Sequence, residues 1–256
     1  MAFTAATRPA LVAVAHGSRD PRAVRTATAL LDRVRELRPG LDIRLGHIEL
    51  NEPLLGDTLA ALPDGTPAVL VPLLLSRGYH VRHDLPQAAA ALPGADIRIA
   101  RPLGPHPLLA EALADRLAEA GWRPEDGASG SAGVVLASAG SRDPRSAEDT
   151  RRMAGMLAER LGGVPVVAAY ASALAPTVPA AVKALEARGR RRIAVASYFA
   201  APGLFSTRSA AAAPCVAAEP LGTHPALARL LLHRYDEALC LQGAARAARR
   251  LELSAA

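Results

Sequence analysis

The sequence predicts an α/β protein of two similar halves, each a mostly parallel sheet flanked by helices, and two observations carry that prediction. The first is an internal repeat. His-Gly-Ser-Arg-Asp-Pro-Arg at His16–Arg22 returns as Ala-Gly-Ser-Arg-Asp-Pro-Arg at Ala139–Arg145, and the same offset of 123 residues carries Pro53 onto Pro176. It also carries the apolar run Ala68–Leu75 onto the run around Ile193–Tyr198. A later pair, Pro102–Pro107 (PLGPHP) and Pro220–Pro225 (PLGTHP), matches at an offset of 118, so the second copy is about five residues shorter between the markers. The second observation is the alternation of apolar runs with helically spaced segments. Strand–helix repeats of this kind build parallel sheets with right-handed crossovers and helices on both faces.

In chain order, Ala10–Ala15 reads as the first strand. Asp20-Pro21 starts a helix whose apolar face is Val24, Leu30, Leu31, Val34 and Leu37, with Arg25, Asp32, Arg33, Arg35 and Glu36 opposite; Gly40 ends it. Ile43–Ile48, Val69–Leu75 and Ile97–Ala100 supply the remaining strands of the first half. The segment Gly121–Gly133 has the Gly, Ser, Pro and acidic composition of a connector. The expected organisation is a half at residues 1–121, a connector at 122–132, a second half at 133–243 and a tail at 244–256.

Composition narrows the function. Thirty basic residues stand against 24 acidic ones, and all the basic residues but Lys183 are arginine, whose planar fork matches carboxylates and phosphates. Aromatics are only 3% and the arginines are scattered among acids, which argues against nucleic acid and for a small anionic partner. No apolar run is long enough to span a membrane. Met1–Pro9 lack the apolar core and cleavage site of a secretory signal, and Cys215 and Cys240 offer at most one disulfide, so a cytoplasmic protein is expected.

In parallel sheets the ligand sits beyond the carboxyl ends of the strands. The first such position holds His16. A turn histidine capping carbonyls is the competing reading, but the second copy keeps Gly140-Ser141-Arg142-Asp143-Pro144-Arg145 with Ala139 in its place, so the turn does not need the imidazole. Glu49, after the second strand, maps to Ser172; His47, two residues back on the same strand face, is its polar neighbour. After the third run come His80, mapping to Gly203, and Asp84, mapping to Thr207. His16, Glu49 and His80 thus form an open set for a divalent first-row metal, present in one copy alone. A local pair of His80 and His83 on one helix face is the alternative, and it leaves His16 and Glu49 without a role. A third reading takes His16-Gly17-Ser18-Arg19 as an anion loop, and predicts equal phosphate affinity in the second copy.

These segments resemble the class II tetrapyrrole chelatases, the CbiX/SirB family that inserts cobalt or ferrous iron into sirohydrochlorin. The resemblance rests on Val14–Pro21, on Ile48-Glu49 with Glu52-Pro53, on Pro72–Leu75 leading to Gly78-Tyr79-His80 and Asp84-Leu85-Pro86, and on Pro102-Leu103-Gly104 with His106-Pro107. It implies two linked flavodoxin-like halves with a cleft between them, His16, Glu49 and His80 as metal-handling and catalytic residues, and His47 and Asp84 behind them. The carboxylates of sirohydrochlorin make Ser18, Arg19, Arg22, Arg77 and Arg82 the expected substrate contacts. Ala139, Ser172 and Gly203 depart from the pattern, so a second centre is not expected. Gln242–Ala256 hold no Cys or His, so no iron–sulfur cluster and no tightly bound cofactor are expected; Co²⁺, Fe²⁺ or Ni²⁺ is substrate. The expected state is a monomer whose halves act as a pseudo-dimer. A metal or tetrapyrrole carrier using the same residues without turnover is the other function class.

Overall fold

The computed structural model describes residues 8–254 apart from 93 and 129, so the expectations for the extreme amino terminus, and for side chains beyond Leu241, lie outside the described residues. The first half runs β1 (Ala10–Ala15), α1 (Pro21–Leu37), β2 (Ile43–His47), α2 (Leu55–Ala60), β3 (Ala68–Pro72), α3 (Tyr79–Arg82), α4 (Asp84–Ala90), β4 (Ile97–Ile99) and α5 (Pro107–Glu119). After α6 (Pro124–Ala128), the second runs β5 (Ala132–Ser138), α7 (Pro144–Arg160), β6 (Val166–Tyr170), α8 (Val178–Ala187), β7 (Arg192–Ser197), α9 (Leu204–Ala210), β8 (Val216–Ala217) and α10 (Pro225–Ser254). The strands form two four-stranded sheets of order β2-β1-β3-β4 and β6-β5-β7-β8. Every pairing is parallel, as the strand–helix alternation predicts.

The repeated motifs are helix starts. Asp20 caps α1 by accepting the Arg22 backbone N–H at 2.9 Å, with Pro21 in the first turn, and the Arg22 guanidinium folds back onto the same carboxylate. Asp143, Pro144 and Arg145 repeat the cap on α7 at 3.0 Å. Arg22 holds the Asp20 carboxyl below the usual range, and Arg145 does the same for Asp143. The Pro-Leu-Gly-x-His-Pro motif is also a cap. Nδ1 of His106 accepts the Leu108 N–H at 3.2 Å to open α5, and Nδ1 of His224 accepts the Ala226 N–H at 3.2 Å to open α10. An acceptor nitrogen requires a neutral ring, and burial, with Arg234 and His233 adding to it, pushes the pKa of His106 down to about 4.

Val12, Val14 and Leu70 face outward beneath Leu55, Leu59 and Leu85, while Leu11, Ala13, Val69 and Val71 face inward. The inward set joins Val134, Leu136, Ala194 and Ala196 of the second sheet in one core shared by both halves. Helices are exchanged across it: α5 packs on β7 and α7 of the second half, and α10 packs on β3 and α1 of the first. The exchange is clamped twice by the same device. Arg116 of α5 donates to the Leu221 carbonyl at 3.1 Å, and Arg234 of α10 donates to the Leu103 carbonyl at 3.1 Å. Around the clamps, Arg38 pairs with Asp236 at 2.5–2.8 Å, and Tyr235 donates to the Pro9 carbonyl at 2.5 Å.

The structure differs from the sequence reading at three points. Leu37, assigned to the buried face of α1, is exposed, because it lies in the last turn beyond the reach of the sheet. Trp122, inside the expected connector, is buried in the shared core, where its size fills the junction between halves. The expected boundary between second half and tail, at residues 243 and 244, falls inside α10. Among the described residues no helix is long and apolar enough to cross a membrane, and Cys215 and Cys240 are both free and exposed.

Because each terminal helix packs on the other half, the fragment 8–121 keeps α1 on its inner sheet face but loses the α10 part of that cover, and its α5 is left without β7 and α7. It is expected to elute from size exclusion as a dimer that exchanges α5 reciprocally, as determined by light scattering. A stable monomeric fragment with native far-ultraviolet circular dichroism would contradict the exchange.

Candidate active site

Parallel pairing in register brings three strand ends to one edge. Ala15 lies against His47 and Val14 against Pro72, so His16, Glu49 and the chain after β3 emerge side by side. The Glu49 N–H donates to the His16 carbonyl at 3.0 Å, which extends the pairing past the strands. Gly17 sits at φ +105°, and a Cβ there would stand 1.8 Å from the Glu49 carbonyl oxygen. Only glycine lets these two turns touch. Leu50 adopts φ 67°, and Ala173 repeats the conformation at φ 61° in the second half. Asn51 closes the turn by accepting the Ser18 N–H at 2.7 Å, while the Ser18 hydroxyl accepts the Asp20 N–H at 3.1 Å. The Ser18 N–H is thus already satisfied inside the protein, which takes one donor from the anion-loop reading.

His16 Nε2 lies 3.5 Å from Glu49 Oε1, with both side chains roughly half exposed. The His80 ring meets His16 edge-on, with centroids 4.5 Å apart and planes at 88°. The other face of the arrangement is anchored by Asp84, whose Oδ2 is 2.5 Å from His80 Nδ1, one helical turn on. His83 stacks on Tyr79 at 4.5 Å instead of joining His80, so the local His80–His83 pair does not form. His47 is buried, with Nδ1 3.2 Å from the Pro53 carbonyl, and so braces the turn that carries Glu49. The structure thus gathers the three sequence-predicted ligands from three strand ends. Among the described residues no group of three or more His, Cys, Asp or Glu side chains is placed to hold a metal ion, the His16, Glu49 and His80 set included.

The set opens into a cleft of about 1130 Å³ between the halves. One wall is the His16–Asp20 turn, Glu49–Asn51 and the first turns of α1, including Ala23, Thr26 and Leu30; the facing wall is Ala139 and residues 199–207 of the second half. His16 and Glu49 line it directly, and His80 stands behind His16. Sequence reasoning missed the facing wall, which includes Phe199, Leu204 and Phe205. The available signal was that two of the three phenylalanines of the chain fall within seven residues just after a strand.

Of the arginines expected at the substrate, only Arg19 lines the cleft. Arg22 is tied to Asp20, Arg77 to Asp149 of the second half at 2.7 Å, and Arg82 lies 3.7 Å from Asp143. The expectation of a four-arginine clamp is therefore corrected to one exposed guanidinium. Arg77 and Arg82 sit beside carboxylates that sequence separation hid, and Arg22 beside its near neighbour Asp20.

The two halves meet at two related seams, and only one is open. At the cleft, Phe199 and Ala200 face Ala23 and Thr26. At the counterpart seam the equivalent residues are Ser76 and Arg77, opposite Ser146 and Asp149, and these bond to one another.

The family model for CbiX matches residues 10–120 and 133–238, both halves of the chain. The sirohydrochlorin ferrochelatase of Bacillus subtilis (strain 168) is 28% identical over 185 residues, 70% of this chain and 69% of that protein. The sirohydrochlorin ferrochelatase of Priestia megaterium is 24% identical over 251 residues, 91% of this chain and 92% of its own. A half-length relative, the sirohydrochlorin cobaltochelatase of Methanopyrus kandleri, is 28% identical over 137 residues that cover 43% of this chain and 96% of that protein. Among solved structures, SirB from Bacillus subtilis with Fe³⁺ has a TM-score of 0.74 at 25% identity, covering 93% of this chain and 98% of its own.

The turn geometry makes a paired prediction. Gly140, at φ +87°, would place a Cβ 2.1 Å from the Ser172 carbonyl oxygen, as Gly17 would against Glu49. Gly17→Ala and Gly140→Ala should each lower the unfolding free energy by about 1–3 kcal/mol through overpacking and left-handed strain. Urea titration of both variants checks it; a neutral result for either would show that its turn relaxes.

Proposed function

The chain belongs to the CbiX family, and from that membership and the geometry of the cleft we propose that it is a sirohydrochlorin chelatase acting in siroheme or cobalamin biosynthesis. The reaction exchanges two pyrrole N–H protons of a carboxylated tetrapyrrole for one Co²⁺ or Fe²⁺ ion. The observation that carries the reading is the asymmetric cleft: a space of about 1130 Å³ walled by both halves, with His16 and Glu49 on one wall only. Pockets for small ligands run from roughly 300 to 1,000 Å³, so this one suits a large, flat molecule. Leu30, Leu50, Leu73, Phe199 and Phe205 offer apolar surface to a macrocycle. Arg19, exposed at the turn, pairs with one of its carboxylates.

Metal delivery needs ligands that bind and then let go. A neutral imidazole serves as both first-row metal ligand and proton acceptor. Glu49, 3.5 Å from His16, supplies a negative charge that draws the cation in and an oxygen that exchanges easily. In the working order proposed here, metal enters on Glu49 and His16, His80 completes or relays the set with Asp84 orienting its ring, and the pyrrole protons leave through imidazole to solvent. Donors of this kind accept Co²⁺, Fe²⁺ and Ni²⁺ alike, so the natural metal is chosen by supply and by the macrocycle as much as by the site. On this reading one chain is a complete enzyme, its second half standing where a dimer's other subunit would stand.

The experiment is an anaerobic absorbance assay of sirohydrochlorin with each metal separately. His16→Ala and His80→Ala should each slow insertion by roughly tenfold or more, the range removed with a positioned acid–base group. Far-ultraviolet circular dichroism should stay native in both, because Ala139 and Gly203 occupy the same places in the second half. A wild-type rate in either variant would remove that imidazole from the mechanism.

Glu49→Gln should weaken Co²⁺ binding in calorimetry while sirohydrochlorin affinity stays within about twofold, since charge matters more to the cation than to the ring. Selective loss of tetrapyrrole affinity would put Glu49 on the macrocycle instead.

A further inference from the structure

The segment that carries His80 is held by the half that carries no ligands. Helix α3 is four residues long, buries none of them, and begins at Gly78 without a side-chain cap. Its anchors lie across the closed seam. Ser76 and Ser146 share a hydroxyl–hydroxyl bond of 2.9 Å, and the Arg77 N–H donates to Asp149 Oδ2 at 2.8 Å. The Arg77 guanidinium grips the same carboxylate through Nε at 3.0 Å and Nη2 at 2.7 Å, and touches Glu148 at 3.2 Å. His80, the second residue of α3, faces His16, and Arg82 reaches toward Asp143 of the second half at 3.7 Å.

We propose that Asp149 is a positioning residue for His80, acting through Arg77 to fix where the imidazole stands against His16. Its side chain is only 5% exposed and projects from α7, one of the two longest helices wholly described here apart from α10, so it offers a rigid charge to a short, unburied element. Charge-assisted bidentate contacts of this kind fix direction as well as distance. The same positions across the pseudo-symmetry axis hold Thr26 and Ala200, which cannot pair; there the seam stays open as the cleft. One seam therefore orients His80 and the other receives substrate, which gives the second half a part in metal handling without any ligand of its own.

The test uses Asp149→Asn in the full chain with ¹³C-labelled histidine. The substitution keeps an oxygen for the Arg77 N–H and removes the charge that holds the guanidinium. The His80 ring resonance, identified by its loss in His80→Gln, should shift by more than its linewidth as the edge-on contact with His16 changes, while the His224 resonance stays in place. In Co²⁺ insertion, kcat should fall roughly tenfold with the KM for sirohydrochlorin within about twofold, because misplacing a reacting group by an ångström lowers turnover while the macrocycle binds in the other seam. An unmoved His80 resonance overturns the proposal, as does a preserved kcat or a loss confined to KM. The kinetic arm rests on the chelatase reading and the resonance arm does not: a wild-type protein that inserts no metal defeats that reading, while the His80 signal still decides the positioning. Should Asp149→Asn fail to fold, Ser146→Ala removes only the Ser76 bond of the same seam and is judged by the same criteria, with a smaller shift expected.

Discussion

The exchange of α5 and α10 between the halves is the constraint from which the site follows. Each sheet's inner face is covered partly by a helix of its own half, α1 or α7, and partly by the exchanged helix of the other, and each exchanged helix is pinned by an arginine to a carbonyl beside the strand ends of the opposite sheet. Leu103 and Leu221, the acceptors, are themselves hydrogen-bonded to Leu74 and Phe199, the residues just beyond β3 and β7. The clamps therefore fix the carboxyl edges of the two sheets relative to one another. In a parallel sheet those edges are where loops are free to carry chemistry. A cleft between them is then a property of the packing, before any functional side chain is placed.

Duplication makes two such seams, and small sequence differences give them opposite fates. Ser76, Arg77, Ser146 and Asp149 knit one together, while Phe199, Ala200, Ala23 and Thr26 leave the other apart. A further break lies at Tyr198, the counterpart of Leu75. Its hydroxyl donates to the Leu75 carbonyl at 2.7 Å, and Gly104 makes the room, since a Cβ there would stand 2.1 Å from the phenol oxygen. Burial pushes the Tyr198 phenol far above its ordinary range, so it remains a donor at any physiological pH. The side of the molecule that carries His80 is thus tied down by a set of contacts that its mirror image lacks.

How much of this was legible in the sequence follows from the range of each interaction. The strand at Ala10–Ala15, the Asp20-Pro21 helix start and the repeat itself are written in neighbouring residues, and the structure reproduces them. The gathering of His16, Glu49 and His80 was also legible, because parallel strands have only one carboxyl edge and comparison of the two copies marked the residues the scaffold does not need. Arg77 and Arg82 were misread because their partners are far along the chain, with Asp149 lying 72 residues beyond Arg77, whereas Arg22 is taken up by Asp20 only two residues away. Local sequence shows a charge beside a candidate ligand but not the acid that packs on it from another helix. His106 and His224 are different: each caps its helix through an N–H only two residues on, so the repeat marks them as a shared motif while their role lies in local backbone geometry.

The openness of the His16, Glu49 and His80 set bears on the metal handling proposed for it. A structural zinc site closes four ligands around its ion and holds it. Here His16 and Glu49 are about half exposed, and His80 Nδ1 is occupied by Asp84, leaving its other nitrogen as the free donor. A carboxylate behind an imidazole fixes which nitrogen faces outward. That combination of a directed imidazole with unfilled positions favours capture of a cation whose remaining ligands are water. In the proposed reaction a macrocycle with four inward-facing nitrogens would then outcompete it, since each nitrogen that binds displaces a weak ligand or a water molecule. Under the proposed function a closed cage would stop at capture, whereas ligands of this openness would pass the ion on to the macrocycle.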